Sequence, residues 1–157
     1  MPLPPPGTVL DDLERERIRA AIVHDYSASL MSDTKWRKLF GAVASVPTID
    51  HYVFKFVRLP GEVSAYGYIG FHPPHCFVDI FSLGPTYLRE IEWVEFPRLV
   101  ASRRVGATPV GGHHQDLAAL GRALDSIGRF PLEVTMSGLR VIGHVPRIHK
   151  APPDPIG

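Results

Sequence analysis

The stretch HYVFKFVRL, residues 51–59, decides the fold class of this chain, because its apolar residues alternate whereas those before it recur at helical spacing. On a strand, Tyr52, Phe54 and Phe56 would lie on one face. The other face would carry valine and leucine, with a single lysine, Lys55, among them. Because both faces are largely apolar, the pattern predicts a strand in the interior of a sheet.

Two helices are predicted before this strand. Residues 11–30, DDLERERIRAAIVHDYSASL, begin with acidic side chains that complement the helix dipole and continue with apolar residues at helical spacing. Residues 34–46, TKWRKLFGAVASV, follow Ser32 or Asp33 as the N-cap. Their apolar residues form one stripe, which predicts that Trp36 is packed in the core rather than used for ligand contact.

Strands dominate the rest of the sequence. Three more are predicted, at residues 65–71, 76–81 and 87–96. A loop at 98–112 leads to a helix at 113–128, whose leucines form a clean apolar stripe. The last element is a hairpin of residues 131–136 and 139–145, around the turn pair Ser137 and Gly138. We expect this pair to supply the positive φ that a tight hairpin connection requires.

This order of elements predicts an α+β fold. We expect a mostly antiparallel sheet of five to six strands, with two N-terminal helices and one helix before a C-terminal hairpin. Strands and helices do not alternate, which argues against a doubly wound parallel sheet. We predict a single domain at residues 8–148, between flexible proline-rich tails at 1–7 and 149–157.

Composition excludes several classes of function. The 157 residues include 17 Lys and Arg against 16 Asp and Glu, a net charge of +1 that gives no electrostatic footprint for nucleic acid or an anionic membrane. A lone cysteine, Cys76, cannot form an internal disulfide, and the first residues lack the pattern of a signal peptide. We therefore expect a cytoplasmic protein with no nucleic-acid or membrane partner.

The turn GFHPPHCFVDIF, residues 70–81, is the main candidate for a metal site. His72, His75 and Cys76 could supply up to three ligands, and His113 and His114 could complete the set. However, the spacing is not that of a zinc finger, and residues 75 and 76 would point to opposite sides of a strand. A histidine-rich turn before a buried strand is the simpler interpretation, so we expect no metal and no cofactor.

Charged residues on the predicted strands are the other candidates. Asp79 lies among apolar residues, and we expect it to pair with Lys55 or to lie exposed at an edge. Glu90 and Glu92 would share one face of their strand, as an exposed acidic stripe or as an acid and base. The loop that follows carries three basic residues: Arg98, Arg103 and Arg104. This acidic and basic surface is our predicted partner-binding site.

Two groups of residues are specific enough to suggest a relationship: Thr34, Lys35 and Trp36 in the second helix, and Gly84, Pro85, Ile91, Glu92 and Trp93 around the fourth strand. With these residues, the sequence resembles a family of small bacterial proteins catalogued as domain of unknown function 6678. The similarity covers residues 32–145. The resemblance implies a fold unit and carries no mechanism.

Two hypotheses of function remain. The first is a non-enzymatic protein-binding module, immunity-like or an adaptor, which acts on an unidentified protein partner through the charged surface; it rests on the lack of a catalytic motif. The alternative is a small hydrolase or metal-dependent enzyme that uses Asp79, Glu92 and a histidine. We favour the first and assign no catalytic residue.

Overall fold

The computed structural model describes residues 11–67, 77–80 and 83–148. These residues form three helices: α1 (Asp12–Asp25), α2 (Asp33–Ala44) and α3 (Leu117–Asp125). In chain order, their strands are β1 (Tyr26–Ser29), β2 (His51–Phe56), β3 (Glu62–Tyr66), β4 (Phe77–Ile80), β5 (Gly84–Tyr87), β6 (Ile91–Pro97), β7 (Leu99–Val100), β8 (Arg103–Val105), β9 (Thr108–Val110), β10 (His113–His114), β11 (Leu132–Val134), β12 (Gly138–Ile142) and β13 (His144–Pro146). The predicted tails lie outside the described residues.

The main sheet has five antiparallel strands in the order β11-β12-β6-β2-β3, so the predicted α+β class is confirmed. Strand β2 is interior, as its two apolar faces predicted, and β6 is central. The alternation of β2 sets the core, since Tyr52, Phe54 and Phe56 are all buried. They pack in one cluster with the apolar stripes of α2 and α3. Helices α2 and α3 therefore cover one face of the sheet.

Helix α2 follows the sequence expectation closely. Ser32 is its N-cap, and the hydroxyl of Ser32 accepts a hydrogen bond from the Lys35 N–H at 3.2 Å. The side chain of Trp36 is 1% exposed and stacks on Phe40 with ring centroids 5.9 Å apart. The prediction that Trp36 belongs to the core is confirmed.

Helix α1 is shorter than predicted. It has the expected acidic N-terminus, where Asp11 and Glu14 form a capping box, but it ends at Asp25. The next four residues form β1, which pairs with β13 near the other end of the described chain. The expectation of a helix to residue 30 was wrong because this pairing with a distant strand satisfies the backbone of Tyr26–Ser29 instead.

The predicted strand at residues 87–96 is in fact interrupted. Leu88–Glu90 form a 3-10 turn between β5 and β6. The carboxylate of Glu90 accepts a hydrogen bond from the Tyr87 N–H at 3.3 Å and pairs with Arg58, which holds the turn. Glu90 therefore lies before the strand rather than on its face.

The closing hairpin is confirmed, but the reason for its glycine is different. Gly138 is not among the glycines with positive φ. It lies on β12 opposite Pro97, where a Cβ atom would overlap the carbonyl oxygen of Phe96. Close approach of two strands, not turn geometry, requires glycine at this position.

The region at 98–114 is more regular than the predicted loop. Strand β7 pairs with β10, and β8 with β9 forms a small hairpin. His113 and His114 belong to β10, whereas the N-cap of α3 is Asp116, whose side chain accepts from the Ala119 N–H. Among the described helices, none is both long and apolar enough to cross a membrane.

Candidate functional site

Glu90, predicted to be an exposed partner-binding residue, is buried. Its side chain is 0% exposed and that of Arg58 is 1% exposed. Arg58 donates two hydrogen bonds to the carboxylate, one from Nε and one from Nη2, the latter at 2.9 Å. Burial raises the pKa of Glu90, and the guanidinium of Arg58 opposes this shift. The prediction of exposure was wrong because the 3-10 turn carries the side chain inward.

Glu92 is also largely covered, with 12% of its side chain exposed. Its carboxylate lies 3.9 Å from the ammonium of Lys55. Burial raises the pKa of the Tyr26 hydroxyl above its usual range, and a hydrogen bond to Glu92 adds to this effect. Glu90 and Glu92 therefore form no exposed acidic stripe.

Lys55 was expected to pair with Asp79, and this expectation was wrong. Besides Glu92, Lys55 donates hydrogen bonds to the carbonyls of Phe56 and Leu59. Asp79 is exposed on β4, which matches the other half of that expectation, an edge carboxylate. Glu92 lies near Lys55, Tyr26 and His144, but the described contacts do not bring Asp79 to any of them, so Asp79, Glu92 and a histidine do not form one acid–base site.

The three predicted basic residues lie in different surroundings. Arg98 is exposed, and its Nη1 donates to the Met136 carbonyl at 3.4 Å. Arg104 is exposed on β8. Arg103 is partly covered, because its guanidinium lies 4.0 Å from the centre of the Tyr66 ring and 3.9 Å from Asp50. Arg98 and Arg104 are therefore the members of this group that remain open to solvent.

The predicted histidine site is only partly described. His72, His75 and Cys76 lie outside the described residues. In β10, the Nε2 of His113 lies 3.2 Å from both the Thr48 carbonyl and the Asp50 carboxylate. No group of three or more His, Cys, Asp or Glu able to hold a metal ion occurs in the part of the chain that the structure describes.

A surface that the sequence analysis missed lies along β11, the edge strand next to β12. Leu132 and Val134 of this strand are exposed by 37% and 78%, and Met136, in the turn that follows, is exposed completely. We call these three residues the β11 surface. Large exposed apolar side chains grouped on a sheet edge mark a site of interaction with another chain.

The opposite face of the same edge is charged. Glu133 of β11 lies opposite Arg140 of β12, and Arg140 lies opposite Glu95 of β6. The guanidinium of Arg140 is 3.3 Å from the Glu95 carboxylate and 3.8 Å from the centre of the Trp93 ring. Charges thus alternate across three strands and end at the exposed Glu133.

A second feature missed by the sequence analysis is a pocket of about 320 Å³ beside α1 and β1. At its base, the hydroxyl of Ser29 lies 2.8 Å from Nδ1 of His144. The Nε2 of His144 lies 2.6 Å from the Arg89 carbonyl oxygen. In the sequence, His144 lies between Gly143 and Val145 in an otherwise apolar strand. A histidine buried in such a strand needs hydrogen-bond partners, so this position could have been identified as a candidate site from the sequence.

Comparison with known proteins adds no relative: no family model, curated protein or solved structure matches this chain. The resemblance to domain of unknown function 6678 stays a prediction.

Proposed function

We propose that this protein is a protein-binding module that adds an extended segment of its partner to the outer edge of β11, the last strand of the sheet among the described residues. The observation that carries the proposal is the β11 surface, where Leu132 and Val134 are exposed on an edge strand and Met136 is exposed in the turn that follows. Strand addition of this kind obtains affinity from main-chain hydrogen bonds and specificity from alternate side chains.

The backbone of β11 has hydrogen-bonding groups for such a segment. The Thr135 N–H donates to the Gly138 carbonyl and the Ile142 N–H donates to the Pro131 carbonyl, so odd-numbered residues of this strand bond to β12. Because these groups alternate, the carbonyls of Leu132 and Val134 and the Val134 N–H point away from β12. They can pair with an added antiparallel strand.

The side chains define the chemistry of the partner segment. Leu132 and Val134 share the sheet face of their buried neighbours Val141 and Leu139, so the partner residues beside them would be apolar. Glu133 ends the row of alternating charges on the other face, so the residue opposite Glu133 would be lysine or arginine. The segment that fits is apolar, basic, apolar.

The basic group contributes at the rim of this surface. Arg98 bonds to the carbonyl of Met136, so its charge lies next to the β11 surface. Such a rim charge accelerates encounter when acidic residues flank the apolar, basic, apolar segment of the partner, and it affects the rate more than the affinity. In this proposal Arg98 keeps the partner-binding role predicted from the sequence, whereas Arg104 is exposed on β8 without a described contact to the β11 surface. Such a module suits an immunity-like protein that occludes its partner, or an adaptor, in the cytoplasm.

We expect a synthetic peptide with the core threonine–valine–lysine–valine–threonine to bind the protein, and Val134→Pro to abolish this binding. Proline removes the outward N–H of Val134 and leaves the hydrogen bonds to β12 in place, so the fold should persist. Fluorescence anisotropy of the labelled peptide measures binding, and circular dichroism checks the fold. Val134→Thr, which keeps the N–H, is the matched control and should bind.

A charge exchange tests the role of Glu133. Replacing the lysine of the peptide with glutamate should weaken binding roughly 2- to 30-fold, since each cross-strand charge pair contributes about 0.2–1 kcal/mol and like charges cost as much. Glu133→Lys should restore binding of that peptide. Equal binding to Val134→Pro would contradict the proposal. So would a concentration-dependent dimer that Val134→Pro dissociates, because β11 would then be covered by a second copy.

A further inference from the structure

The pocket beside α1 is built from elements far apart in the sequence. Its apolar lining comes from Ile22, Val23 and Met31, and its charged lining from Arg19, Arg89 and Asp33. A volume of about 320 Å³ is at the lower end of the range for small-molecule sites. The surface proposed for partner binding uses none of these residues.

The hydrogen bonds of His144 define which of its two ring nitrogens carries the proton when the ring is neutral. A carbonyl oxygen only accepts, so Nε2 carries the proton and donates it to the Arg89 carbonyl. Nδ1 therefore has a lone pair, and it accepts the hydrogen bond from the Ser29 hydroxyl at 2.8 Å. This is the arrangement of a nucleophile, a general base and a group that orients the base.

The fold fixes both side chains. Ser29 and His144 are register partners in the ladder of β1 and β13, and the Leu30 N–H donates to the Gly143 carbonyl at 2.8 Å beside them. His144 is 5% exposed, so its ring has little freedom to turn. Ser29 is exposed and lines the pocket. A held base and an accessible hydroxyl are the geometry that proton abstraction needs.

The chemistry of the base is compatible with reaction near neutral pH. Burial lowers the pKa of His144 below its ordinary value, although the bond to the Arg89 carbonyl and the nearby carboxylate of Glu92 oppose this effect. Neutral imidazole is then the main form at pH 7. The Glu92 carboxylate would stabilise the imidazolium formed when His144 takes a proton.

We propose that Ser29 is a nucleophile, activated by His144, that cleaves esters of short acyl groups bound in this pocket. The Ser29 Oγ adds to the acyl carbon to give a tetrahedral oxyanion while its proton passes to Nδ1 of His144; the oxyanion then collapses, the bond to the alcohol oxygen breaks, and His144 gives the proton to the departing alcohol. Water then attacks the acyl-serine, again through His144, and releases the carboxylic acid with Ser29 restored. This activity goes beyond the proposed binding function.

The pocket lining specifies the substrate class. Ile22, Val23 and Met31 provide an apolar wall for a short acyl chain. The guanidinium of Arg89, 3.9 Å from Asp33 and partly exposed, lines the same pocket and supplies positive charge for the oxyanion of the tetrahedral intermediate. Acetyl and butyryl esters match this volume and polarity.

The test is covalent labelling of the full chain with a fluorophosphonate probe, in which the Ser29 Oγ would displace fluoride from phosphorus. We expect one adduct by intact-mass spectrometry, located at Ser29 by peptide mapping and absent from Ser29→Ala. His144→Gln should slow labelling about 100-fold or more, the contribution usual for a general base. The labelling rate of the wild type should fall as the pH drops below about 6.5, the pKa of free histidine, because protonated His144 cannot accept the serine proton.

Ser27→Ala is the matched control. Ser27 lies two residues away on the same strand, and its hydroxyl donates to the Val145 carbonyl rather than to a histidine. This variant should label like the wild type. No adduct on a folded wild-type protein, or an adduct that persists in Ser29→Ala, would overturn the proposal and leave the Ser29–His144 bond a structural link between β1 and β13.

Discussion

Replacing Arg58 with alanine should lower the free energy of unfolding by about 3 to 5 kcal/mol, because it leaves the carboxylate of Glu90 buried without its partner. The two side chains are 1% and 0% exposed and share two hydrogen bonds, so solvent does not screen the loss. Chemical denaturation followed by circular dichroism measures the change.

The double variant Arg58→Met with Glu90→Leu is the informative control. Replacing a buried ion pair with apolar side chains of similar volume is often neutral in stability, since both desolvation costs disappear together. We therefore expect the double variant to recover most of the loss. A loss below about 1 kcal/mol for Arg58→Ala would instead have the size typical of an exposed pair and contradict the burial described above.

Replacing Trp36 with alanine should cost about 3 to 5 kcal/mol, as truncation of a large aromatic side chain in a core does. Trp36 is 1% exposed, stacks on Phe40 and packs so closely against Gly143 that a Cβ atom there would touch its ring. The denaturation midpoint reports the effect.

The other tryptophan provides a matched comparison. Trp93 is only partly buried and carries the guanidinium of Arg140 on its ring. Trp93→Ala should therefore destabilise the protein less than Trp36→Ala. An unchanged midpoint for Trp36→Ala would mean that the apolar stripe of α2 is a partner surface and not part of the core.

The elements predicted best from the sequence are those in which apolar residues repeat at the period of the helix or strand, because one face of the element is buried. Trp36 and Phe40 share one stripe of α2, and Phe54 and Phe56 share one face of β2, so burial repeats at the period of each element. The hairpin of β11 and β12 was recognisable for a different reason, the turn pair Ser137 and Gly138 between two strand-like segments, although Gly138 serves close packing.

The elements predicted poorly depend on partners far away in the chain. Nothing in Tyr26–Ser29 itself shows that it pairs with β13. Glu90 and Glu92 have the spacing of a strand face, and only the guanidinium of Arg58, 32 residues earlier, draws Glu90 into a turn. Ser29 and His144 are 115 residues apart, so no local motif could reveal their contact. The Ser29–His144 site therefore falls on a tertiary contact, whereas the β11 surface lies on a predicted strand whose edge position depends on the order of the sheet.

The ladder of β1 and β13 also has a consequence for the order of folding. Closing a loop of 115 residues costs about 4 kcal/mol of chain entropy by the logarithmic dependence on loop length, and only three residues of β1 pair across it. The central strands β2 and β6 pair across a shorter loop and are also held by the core. The ladder is therefore among the last parts to form and the first to open, at a free energy below that of global unfolding. On heating, Ser29 and His144 would therefore separate at a temperature at which the main sheet is still folded.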